Sequence, residues 1–116
     1  MTTLTTSSDR DWLHNLMPHF LEQTKDRLTR IKAHRQAIHD GCDALAEMKA
    51  ICGIAHQISG TADTFGFGDL SVFARKVEDV FLREILRVDD PMAIWSRVEW
   101  SLTPLIQEIA NLLEPR

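Results

Sequence analysis

His56 is the residue of this chain best surrounded for chemistry. On a helix the positions three and four away are a side chain's surface neighbours, and for His56 these are Cys52, Gly53, Ser59 and Gly60. All four are small, so the imidazole would stand on a cleared strip that another macromolecule could approach closely. A glycine inside a helix costs about 1 kcal/mol relative to alanine, so Gly53 and Gly60 call for a compensating gain. Clearance for a docking partner would supply it; close helix packing is the alternative. Neutral imidazole attacks through one ring nitrogen while the other carries the proton. Phosphoryl transfer then needs little beyond in-line positioning and charge neutralisation, which a partner bringing its own carboxylates and magnesium could provide. The plain alternative is an ordinary surface histidine.

Other combinations of reactive residues carry less. His14 and His19, like His34 and His39, are five apart, about 140° around a helix, which does not make a one-face metal pair. Gly66-Phe67-Gly68 begins like a dinucleotide loop but has no preceding strand and no third glycine at Ser71, so no cofactor or metal of its own is expected. Cys42 and Cys52 lack CxxC spacing and read as reduced thiols. Trp95 and Trp100, also five apart, cannot share one core stripe, so one of them is expected at the surface; a monomer is expected, with a dimer the alternative.

The elements that must position His56 are helical throughout. Ser8 and Asp11 form an S-x-x-D capping signal for a short opening segment, and Pro18 suits the first turn of a long helix reaching about His39. Leu16, Phe20, Leu28, Ile31 and Ile38 form its apolar stripe, broken by Thr24. Gly41 ends it and Asp43 caps the next helix, which carries His56 between apolar positions from Leu45 to Phe65. Gly66-Phe67-Gly68 turns the chain into a third helix with a stripe from Leu70 to Ile85. Asp89 and Asp90 ahead of Pro91 start the last, which Pro104 should bend or interrupt. The expectation is an all-α, up-and-down four-helix bundle with a short additional N-terminal helix: a flexible tail over residues 1–8 and a single domain over 9–116.

Composition narrows the partners. The 116 residues are 44% hydrophobic and 26% charged, and 13 basic against 17 acidic residues give a net charge of -4. No nucleic-acid partner is expected from that balance, and no apolar run long enough for a membrane span is present in the sequence. The opening MTTLTTSS lacks the features of a secretory signal, so the expected location is the cytoplasm.

The segment His56-Gln57-Ile58-Ser59-Gly60-Thr61-Ala62, followed by Phe65-Gly66-Phe67 and Leu70, resembles the signature of histidine-containing phosphotransfer (HPt) domains. With its Thr64 to Phe67 segment and a downstream Glu78, it looks most like the phosphotransfer domain of chemotaxis histidine kinases. The resemblance implies a phosphocarrier, not an enzyme with an ATP site, in a two-component His-Asp phosphorelay. His56 would exchange a phosphoryl group with an aspartate of a receiver domain, on a response regulator or hybrid histidine kinase, and magnesium would sit on that receiver. Glu78 would orient the ring, with Gln57, Ser59, Gly60 and Arg75 in support and a docking surface including Cys52, Gly53, Asp63 and Phe67. A solvated helix charge is the alternative for Glu78 and for Arg75. Ser59 stands where the family usually has a lysine, and Arg75, three residues before Glu78, is the candidate substitute. Asp63 adds a negative charge close to a site that must hold an anion. Both departures favour the competing reading, a phosphorylation-silent adaptor of the same fold that binds a receiver or kinase.

Overall fold

The computed structural model describes the backbone of residues 2–114 and, within the first helix, the side chains of Trp12 and of residues from His14 onward. It is all-helical: α1 (Thr2–His39), α2 (Ala44–Thr64), α3 (Gly68–Ile85), α4 (Pro91–Val98), a 3-10 turn (Glu99–Ser101) and α5 (Leu102–Leu113). The bundle's fourth member is α4 and α5 taken together. Phe20, Ile31 and Ile38 of α1 meet Met48, Ile51 and Ile58 of α2, Leu70, Val77 and Phe81 of α3, and Ile94, Leu105 and Ile109 of the last pair in one buried core.

The turns on either side of α2 fix where it begins and ends. At the end of α1, Gly41 takes φ +90, and the amides of Gly41 and Cys42 donate to the carbonyls of Ile38 and Ala37. At the end of α2, Gly66 takes φ +81, and the amides of Gly66 and Phe67 donate to Asp63 and Ala62. Both are Schellman closures, in which a left-handed residue lets the last carbonyls be satisfied without steric penalty. The start of α2 is fixed by Asp43, whose carboxylate accepts from the Ala46 amide at 3.2 Å.

Two expectations change at the chain's ends. The opening segment is not a separate short helix but the first part of α1, and the backbone is already helical from Thr2. The side chains of Ser8 and Asp11, which would cap such a segment, lie outside the described residues. Pro18 is therefore inside a helix rather than at its start. It removes one backbone donor, while Met17 and Leu21 on either side of it pack against the core and hold the helix across the gap. In the last helix the interruption falls upstream of Pro104, at the 3-10 turn, where Ser101 Oγ donates to the Val98 carbonyl at 2.7 Å. Pro104 then occupies the first turn of α5, where amides have no helical acceptor to lose.

Candidate functional site

His56 projects from the middle of α2 with its side chain 71% exposed, and its Nδ1 lies 2.6 Å from Oε2 of Glu78 on α3, which is 20% exposed. A carboxylate offers only lone pairs, so of the two neutral tautomers the one with the proton on Nδ1 suits this approach and leaves the lone pair on Nε2. The antiparallel packing of α2 on α3 makes this contact. The same seam holds Cys52, whose thiol donates to the Glu78 carbonyl at 3.8 Å, and Ser71, whose hydroxyl donates to the Ser59 carbonyl at 3.2 Å. Burial first, then the charges of Glu78 and Asp79, push the Cys52 thiol up from its ordinary value, so it stays protonated beside the site.

The four small neighbours of His56 divide into two kinds. Gly53 and Gly60 are exposed, and a Cβ built at either meets nothing within 4 Å. They leave a strip open in front of the imidazole, and nothing among the described residues packs against them. Cys52 and Ser59 lie on the flank that α3 covers, and both are 7% exposed. Cys52 is thus part of the floor and not an open docking residue. Ser59 turns its hydroxyl back to the His56 carbonyl, 3.1 Å away, and does not reach toward the ring.

Asp63 and Arg75, treated separately in the sequence, are partners. Arg75 Nη2 lies 2.9 Å from Asp63 Oδ2 and also donates to Ser71 Oγ at 3.2 Å, so the carboxylate's charge is offset by a cation already engaged with it. Phe67 is only partly exposed. Its ring stacks on Phe20 with centroids 5.2 Å apart, and Phe65 also stacks on Phe20, at 4.7 Å. The turn after α2 is anchored to α1 by these rings. Gln57 is exposed and lines a shallow cleft with His56, Gly60, Thr61 and Arg27.

Arg27 and an apolar groove were not anticipated. Arg27 of α1 donates to Thr61 Oγ1 at 3.1 Å, and burial, with Arg30 nearby, pulls its guanidinium below the usual arginine value. On the other side of the imidazole a groove of about 520 Å³ is lined by Lys49, Cys52, Gly53, His56, Glu78, Leu82, Ile85 and Leu86. Leu82 and Leu86 are exposed in it, Leu86 at 77%. Their spacing held a signal: they fall four and eight residues after Glu78, hence on the face of α3 that holds the imidazole.

Of the two tryptophans, Trp95 is buried and Trp100 is exposed, with its Nε1 donating to the Arg97 carbonyl and Lys76 Nζ 5.4 Å from its ring centroid. Among the described residues no cluster of three or more His, Cys, Asp or Glu is arranged to hold a metal ion, and no helix is long and apolar enough to cross a membrane.

Compared with known protein families, the sequence matches the one described as Hpt domain over residues 15–114. Neither the curated proteins nor the solved structures gave a match.

Proposed function

The chain belongs to the Hpt domain family, whose role is phosphotransfer in His-Asp phosphorelays through contact with receiver domains and without an ATP-binding site of its own; from that premise we propose that His56 is the phosphoryl carrier. The observation that carries the proposal is the 2.6 Å approach of Glu78 to Nδ1 of a 71% exposed imidazole. In the accepting direction Nε2 attacks the phosphorus of a receiver's aspartyl phosphate. The N–P bond forms as the O–P bond breaks, and the receiver aspartate leaves as carboxylate, with magnesium on the receiver as its counter-charge. Nδ1 keeps its proton throughout, so positive charge grows on the ring beside Glu78, and the reverse step returns the group to an aspartate.

Gly53 and Gly60 let the receiver approach the ring, and the Leu82–Leu86 groove offers apolar contact area next to it. Within the family, the Thr64 to Phe67 turn and Glu78 favour kinship with the phosphotransfer domains of chemotaxis kinases. The protein acts in the cytoplasm, where receivers are found. The silent-adaptor reading draws on Ser59, since the usual lysine is missing, but the Arg75–Asp63 pair removes the other charge that favoured it.

The test is incubation with a panel of phosphorylated receiver domains. Acid-labile, alkali-stable label that appears on the wild-type protein and not on His56→Gln supports the carrier. Receiver binding without any label would establish the adaptor instead.

A further inference from the structure

The site has no lysine three residues beyond His56, and the arginines that bridge the α2–α3 and α1–α2 seams are already engaged, Arg75 with Asp63 and Ser71 and Arg27 with Thr61. Lys49 differs. It is exposed on α2, lines the same groove as His56, Gly53 and Glu78, and takes part in none of the ion pairs among the described residues.

Seven residues separate Lys49 from His56, which on an α-helix is about 10.5 Å along the axis and only about 20° around it. The line between them runs between Cys52, buried against α3, and Gly53, where an added Cβ would meet nothing within 4 Å. Side chains on a helix lean toward its N-terminus, which carries the imidazole toward Lys49 but starts the Lys49 stem in the opposite direction, so the lysine must fold its methylenes back along the groove that both residues line. The long flexible stem of lysine can lie along the groove floor while its ammonium stays hydrated at the rim. A side chain at position 53 would stand in that path.

Resting on the reading of His56 as phosphoryl acceptor, we propose that Lys49, reaching across the Gly53 gap, is the positioning cation for the phosphoryl group on Nε2 of His56. It takes the place of the lysine that Ser59 lacks. Gly53 then has two uses: it admits the partner and leaves the lysine's route open. The ammonium neutralises charge on the phosphoryl oxygens and makes no bond in the transfer step, so its influence is electrostatic and solvent-screened.

Phosphoramidate, a small anionic phosphoryl donor, tests this without a receiver: Nε2 attacks phosphorus, the N–P bond of the donor breaks, and ammonia leaves with a proton from solvent. Initial labelling of His56 should fall about two- to fivefold in Lys49→Gln at low ionic strength, the range of an exposed ion pair. Lys49→Arg should keep most of the rate, and the difference should close at high salt. Equal rates for wild type and Lys49→Gln, or a loss that salt leaves untouched, would overturn the role of Lys49 while leaving His56 as carrier. Absence of label from the wild-type protein, when His56→Gln is equally unlabelled, would overturn the carrier reading and this inference with it.

Discussion

Glu78 on α3 reaches across the helix seam to hold Nδ1 of His56 at 2.6 Å, which leaves Nε2 as the only ring nitrogen open to a phosphoryl donor. Removing that acceptor frees the ring to rotate and to carry its proton on either nitrogen. For Glu78→Ala the expected result is a drop of roughly tenfold in phosphoryl acceptance, the equivalent of about 1.4 kcal/mol and near the lower end for hydrogen bonds to a charged group. Nitrogen-15 NMR of the ring should show mixed tautomers in the variant and a single one, protonated at Nδ1, in the wild type. A single unchanged tautomer in Glu78→Ala would mean that the carboxylate does not set it.

Gly60 offers a separation of packing from docking. Because a Cβ there meets nothing, Gly60→Leu should fold normally and melt no lower than wild type, since the change also raises helix propensity by somewhat under 1 kcal/mol. Binding to a receiver should weaken, because the new side chain stands on the strip in front of the imidazole. Calorimetric titration with a receiver and a thermal melt on the same sample would check both halves. Unchanged affinity would mean that the strip is not the docking surface.

Much of this site was legible in the sequence because it depends on one helix's periodicity. The 3.6-residue repeat puts Gly53 and Gly60 beside His56, and the spacing to Glu78 only requires that α2 and α3 run antiparallel, which the short Gly66 turn enforces. Which flank of α2 is covered is a tertiary fact. Cys52 and Ser59 are as close to His56 along the helix as the two glycines, yet α3 buries them. The stacking of Phe67 could not be read from the sequence because its partner, Phe20, lies 47 residues earlier on α1. Arg27 was invisible for the same reason. The break before α5 could not be located from Pro104 alone, because a proline is equally at home in the first turn after a break.

The two cysteines should differ sharply in reactivity. Cys42 is exposed in the α1–α2 turn and Cys52 is buried, with its thiol pushed up by burial and by Glu78 and Asp79. A thiol-specific reagent at pH 7 should label one cysteine quickly and the second only on unfolding. The pH dependence follows in sign. A raised folded-state value means that the folded protein holds the Cys52 proton more tightly than the unfolded chain. The stability this contributes is intact below the ordinary thiol value of 9.0 and is lost as pH rises beyond it. Denaturant midpoints for wild type should therefore fall above pH 9 more than those for Cys52→Ser.

Val88, 90% exposed after the end of α3, has φ +52, a left-handed conformation that a β-branched residue adopts only against steric resistance. Val88→Gly should relieve it and raise stability by about 1 kcal/mol, seen as a higher melting temperature with phosphoryl acceptance unchanged. A lower melting temperature would show that the glycine's added freedom in the unfolded chain outweighs the relief.

Ser59→Lys restores the residue type usual in the family, and the seam decides what it does. Ser59 is 7% exposed and its carbonyl is tied to Ser71, so a lysine there must run its stem out of the interface before its ammonium meets water. The crowding should lower stability by roughly 1 to 2 kcal/mol, as overpacked positions do. The emerging ammonium would lie one turn from His56, and an exposed contact with the phosphoryl oxygens is worth about 0.5 to 1 kcal/mol, a few-fold gain in phosphorylated yield where no other cation serves those oxygens, and one that shrinks with salt. Combining it with Lys49→Gln tells whether both cations serve one group. If they do, Ser59→Lys restores most of the yield lost in Lys49→Gln and adds little to wild type, because the same phosphoryl oxygens are already neutralised. If the two changes simply multiply, the cations act at different places and Lys49 does not stand in for the absent lysine.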